Sequence, residues 1–123
     1  MATMIIGGER IKGNLPIEVK SPFDGTVLDT VPRATPTDVE RALASATKGA
    51  EIMRRSEAYQ RHDWLTKAAS LLKDRTQEFA ELISREEGKP LAEATFEVSR
   101  AVNTLQLSGE EARRIAGQMI PLD

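Results

Sequence analysis

Hydrophobic positions change their period about a third of the way along the chain. Before Pro32 they come in short alternating runs; after Thr35 they recur every third or fourth residue. The apolar run Met4-Ile5-Ile6, the Gly7-Gly8 pair and the alternation through Ile11 predict a β-hairpin. A second hairpin follows. Ile17 and Val19 share a face, Ser21-Pro22-Phe23-Asp24-Gly25 supplies turn chemistry, and Val27–Val31 is a β-branched strand. Two hairpins alone are marginal in water and need a helix or further strands to pack on.

Thr35-Pro36-Thr37-Asp38 starts the helical part, with Thr35 at N-cap, Pro36 at N1 and Asp38 at N3. Val39, Ala42, Leu43 and Ala46 then follow at helical spacing, and Gly49 and Arg54-Arg55-Ser56 mark the end. Ser56 is expected to cap a second helix. Its apolar stripe is Leu65, Ala68, Ala69, Leu72, Phe79, Leu82 and Ile83, and it ends near Glu87. A third helix is expected to carry Leu91, Ala94, Val98, Ala101, Val102, Leu105, Ala112 and Ile115 and to close at Gly117, ahead of an extended Met119-Ile120-Pro121 segment. The predicted fold is α+β: two short hairpins over 1–33, then three helices over 35–117, of which two are long and antiparallel.

Gly88-Lys89-Pro90 lies between the last two helices. Gly88 suits a left-handed C′ position and Pro90 suits N1 of the next helix. A phosphate loop needs Gly-x-x-x-x-Gly-Lys-Ser/Thr after a strand. Here Gly88 follows a helical pattern, the earlier glycine is missing, and Pro90 stands where the hydroxyl residue belongs. The segment reads as a helix–helix joint. No Gly-x-Gly-x-x-Gly is present either, which argues against a self-contained nucleotide-binding module.

A second helix of roughly 30 residues would be about 45 Å long. A compact domain of this size has a radius of gyration of about 13–14 Å. The apolar stripes run the whole length of such rods, and burying each Leu or Ile contributes about 1.5–3 kcal/mol. Something larger is therefore expected to cover them, either more of the same polypeptide or another protein chain.

Composition narrows the chemistry. With 40% hydrophobic but only 4% aromatic residues, any core rests on Leu, Ile, Val and Ala. Net charge is −2, and no block of like charge points to nucleic acid or a membrane surface. The start, "MATMIIGGER", has neither the cationic flank of a signal peptide nor the length of a spanning helix, so a cytoplasmic protein is expected. There are no cysteines, so thiolate catalysis within these residues is excluded. The single histidine, His62, has no second residue with which to build a triad, and Asp63 next to it points about 100° away on a helix. His62 is expected on a helix surface without a partner.

"GGER", "VKSPFDGTVLDTVPRATPTDVERALASA", "EEGKPLAEATFEVSRA" and "EEARRIAGQMIPLD", in this order and spacing, resemble the amino-terminal portion of the aldehyde dehydrogenase superfamily. The likeness covers nearly the whole chain, although no one of the four stretches is diagnostic. It implies the first part of a Rossmann-like α/β cofactor domain, in an oligomeric subunit about four times longer. It also implies oxidation of an aldehyde to a carboxylic acid with NAD or NADP. The catalytic cysteine, glutamate base, oxyanion asparagine and cofactor glycines of that family would all lie beyond Asp123. The 123 residues alone are then expected to be a truncated, inactive portion that binds no cofactor.

The resemblance also suggests three positions with chemistry. Glu86, ahead of Gly88-Lys89-Pro90, matches one ligand of a monovalent cation, and the backbone of Val19 and Lys20 matches others. Carboxylate and carbonyl oxygens suit a hard cation. A solvated acid near a helix end is the plainer reading of Glu86, and the macrodipole disfavours it there without a partner. Arg100 matches an arginine that faces the substrate in members acting on small anionic aldehydes; a planar guanidinium binds carboxylate or phosphate bidentately. An intrahelical pair with Glu97 or Glu93 is the simpler account of Arg100. A non-catalytic helical module, using its apolar stripes for self-association or partner binding, is the alternative function.

Overall fold

The computed structural model describes residues 2–13 and 15–122. Among the described residues four strands and four helices follow one another: β1 (Met4–Ile6), β2 (Glu9–Ile11), β3 (Pro16–Lys20), β4 (Val27–Pro32), α1 (Pro36–Arg55), α2 (Ala58–Asp74), α3 (Thr76–Glu87) and α4 (Leu91–Ala112). The α+β architecture of two hairpins followed by helices is therefore present.

Each hairpin forms its own two-stranded antiparallel sheet. Gly7 and Gly8 both have positive φ, at 61° and 84°. That is the requirement of the tight turn whose twist matches its strands, and it sets Ile6 opposite Glu9. In the second hairpin the loop is closed by Gly25 N–H donating to Ser21 O and Ser21 N–H to Thr26 O, both at 2.9 Å. Asp24 accepts from the backbone N–H and hydroxyl of Thr26 at 3.1 and 2.8 Å.

The N-terminus of α1 follows from Thr35 and Asp38. The Asp38 N–H donates to Thr35 Oγ1 at 3.2 Å, and Thr35 N–H and Oγ1–H donate to Asp38 Oδ2 at 2.9 and 2.7 Å. The pair reciprocally satisfies donors that the first turn leaves open. The same bonds, the backbone one foremost, hold the Asp38 carboxyl below its ordinary pKa.

Three helical boundaries differ from those the sequence predicts. The single helix expected over 56–87 is two helices, α2 and α3, about 26 and 18 Å long at 1.5 Å per residue. The break is at Arg75, where backbone N–H bonds to Leu72 O and the Thr76 hydroxyl takes Lys73 O at 2.7 Å. A hydroxyl that bonds the preceding turn competes with the helical ladder. Arg75 then serves α3: its guanidinium pairs with Glu78 at 2.5 Å and lies over the Phe79 ring at 5.0 Å. At the start of α2 the capping residue is Glu57 rather than Ser56, with Glu57 N–H donating to Gln60 Oε1 at 2.9 Å. Finally, α4 stops at Ala112, five residues short of Gly117, and Ile115 lies outside it, 77% exposed.

The chain divides into two compact units. One takes in the residues up to Arg55 together with Glu81–Leu91; the other takes in Ser56–Ala80 and the residues from Ala92 onward. In the first, α1 runs beside β1, and an apolar groove between them is lined by Ile5, Ile6, Val39, Leu43 and Ala46 among others. No residue of α1 is buried. In the second, α2 and α4 pair antiparallel: His62, early in α2, meets Gly109, late in α4, whereas Lys73 and Thr76 share a groove with Ser99 and Asn103. The buried residues of this unit are small, namely Ala69, Ala80, Ala94, Val98, Val102, Gly109 and Ala112. The core expected of Leu, Ile, Val and Ala is thus mostly Ala and Val. Larger side chains, among them Leu43, Ile52, Leu71, Phe96 and Leu107, stay exposed.

Candidate functional site

The two sets of residues singled out for chemistry fall in different units, and each is described separately. Glu86 is in the last turn of α3, exposed, in the unit that also holds the second hairpin. The joint after it is built as its sequence requires. Gly88 has φ 75°, its N–H donates to Ser84 O at 2.9 Å, and the Ser84 hydroxyl returns to Lys89 O at 2.8 Å. Lys89 also pairs with Glu87 at 2.7 Å, placing a cation beside the acidic end of α3. This is a helix C-terminus closed on itself, not a phosphate cradle.

The joint rests against the hairpin turn. A Cβ on Gly88 would lie 2.9 Å from Pro22 Cγ. Pro22 is two residues beyond Lys20, so the segment bearing Glu86 reaches the hairpin end next to Val19 and Lys20. The β3–β4 register slips between those same two residues, with Val19 opposite Asp29 and Lys20 opposite Val27. The residue left out of the ladder is Leu28 of β4, opposite the Val19–Lys20 step. A carboxylate and backbone carbonyls are the correct donor types for a hard cation. Among the described residues there is no cluster of three or more acidic or histidine side chains that could hold a metal, so any cation here would depend on backbone oxygens.

Arg100 is in the other unit, exposed on α4, and its carbonyl accepts the Thr104 hydroxyl at 3.0 Å. Helical spacing sets Arg100 on one face with Phe96 and Leu107, which are 65% and 61% exposed. The opposite face, Ala94, Val98, Val102 and Gly109, is the buried one. Arg100 is therefore an exposed cation on a mixed face, with Phe96 and Leu107 alongside the polar Glu97, Asn103 and Thr104.

His62 is the residue that the sequence misplaced. It is half-buried, and its Nδ1 lies 3.0 Å from the carbonyl oxygen of Gly109. A carbonyl oxygen only accepts, so Nδ1 carries the proton. Gly109 belongs to the last turn of α4, where carbonyls lack intrahelical donors, and Arg113 N–H bonds Glu110 O instead. His62 thus caps a neighbouring helix. Gly109 permits the approach, since a Cβ there would lie 3.3 Å from Thr66 Oγ1. The available signal was a glycine on the apolar face of a long helix, which marks close packing. No helix among the described residues is long and apolar enough to cross a membrane.

Residues 11–123 match the sequence profile of the aldehyde dehydrogenase family. An aldehyde-dehydrogenase-like protein of Sinorhizobium fredii is 47% identical over 108 residues, which is 88% of this chain and 21% of that protein. A 3-sulfolactaldehyde dehydrogenase of Priestia aryabhattai is 44% identical over 90 residues, 73% of this chain and 18% of the relative. Among solved structures, an aldehyde dehydrogenase from Physcomitrella patens in complex with the reaction product succinate superposes with a TM-score of 0.94 at 33% identity. That superposition covers 99% of this chain and 26% of the other. The chain spans about a fifth to a quarter of the length of the relatives it matches. The chain belongs to the aldehyde dehydrogenase family.

Proposed function

We propose that these 123 residues are the amino-terminal part of the cofactor-binding domain of an NAD(P)-dependent aldehyde dehydrogenase, and that they provide scaffold rather than chemistry. Oxidation of an aldehyde to an acid needs a hydride acceptor, and NAD or NADP fills that role in the whole protein. The observation that best supports this is a superposition over nearly the full chain that covers only a quarter of the matched subunit. A nucleophilic thiolate must come from elsewhere in the subunit, since the chain has no cysteine. The remainder of that subunit is the partner proposed for the exposed apolar faces of α1 and α4. The measurement is aldehyde-dependent NAD(P) reduction by the whole protein.

The proposed substrate is a small aldehyde bearing a second, anionic group. One relative is named for 3-sulfolactaldehyde and one neighbouring structure holds succinate. Arg100 would meet that anion, because a planar guanidinium binds a carboxylate or sulfonate through paired charged hydrogen bonds. Glu86, with the backbone of Val19 and Lys20, is proposed to hold a monovalent cation. The seating of Gly88 on Pro22, which brings the end of α3 to the hairpin end bearing Lys20, supports that reading. A second reading, a non-catalytic interaction module, is favoured by the same exposed apolar residues.

A further inference from the structure

We draw no further inference here: the strongest candidate, the apolar groove between β1 and α1 lined by Ile5, Ile6, Val39, Leu43 and Ala46, carries nothing because nothing in the structure shows what covers it.

Discussion

Gly88 sits so close to Pro22 that a single added methyl group would lie 2.9 Å from the proline Cγ. The contact fastens the α3–α4 joint to the β3–β4 turn. Gly25 provides an internal control, since its φ of 73° nearly equals the 75° of Gly88 while nothing lies within 4 Å of its missing Cβ. Gly25→Ala is expected to cost only the left-handed strain, about 1–2 kcal/mol. Gly88→Ala adds the clash and is expected to cost more, with a total on the order of 2–4 kcal/mol. Urea unfolding of both variants, with and without Pro22→Ala, checks this. Equal losses, or no coupling between Gly88→Ala and Pro22→Ala, would show that the contact is energetically silent.

Acid should loosen the start of α1. Asp38 has a lowered pKa in the folded protein because Thr35 donates to it, so the unfolded chain binds the proton more readily. The contribution is complete above the unfolded carboxylate value of about 4 and disappears as pH falls through the lower, folded value. Amide exchange at Val39–Arg41, corrected for its intrinsic pH dependence, is expected to show constant protection from pH about 7 to 5 and loss below about 4. Asp38→Asn should flatten that profile. An unchanged profile would remove the Thr35–Asp38 pair as its cause.

The proposed cation site is open to a comparison of salts. If Glu86 and the Val19–Lys20 backbone hold a monovalent ion, the whole enzyme melts higher in sodium or potassium chloride than in choline chloride of equal ionic strength, because a ligand of the folded state stabilises it. Glu86→Gln is expected to reduce that difference by at least half. A difference of the same size in the variant would leave Glu86 a solvated acid at a helix end.

Arg100 is expected to discriminate by charge. In the whole enzyme, Arg100→Leu should lower kcat/KM for a semialdehyde carrying a carboxylate or sulfonate by roughly 10- to 100-fold. This corresponds to the loss of one charged hydrogen bond of about 1.5–3 kcal/mol. A neutral short aldehyde should be affected less than about threefold. Equal effects on both would assign Arg100 to structure instead.

Much of the fold was legible because it rests on local chemistry. Gly7-Gly8 can satisfy two consecutive positive φ values, Thr35 and Asp38 name their own helix start, and Gly88 names its stop. The break at Arg75 was not legible, because Leu72 and Phe79 continue the apolar period across it; only the Thr76 hydroxyl, bonded to Lys73 O, signals the interruption. The His62–Gly109 bond was hidden for a different reason. It joins residues 47 apart, and no local rule says which carbonyl a lone imidazole will find. The apolar stripes named most of the buried positions, but spacing alone did not say that only their small members would be buried within the chain. Ala69, Ala80 and Ala94 let backbones approach, while Phe96 and Leu107 remain exposed.

The most direct measurement is nicotinamide reduction, followed by absorbance, with an anionic semialdehyde and either NAD or NADP. The whole protein is expected to turn over, and the isolated 123-residue chain, lacking any thiolate, is expected to give no rate above the enzyme-free mixture. Aldehyde-dependent reduction by the isolated chain, or none by the whole protein with any short aldehyde, would contradict the account.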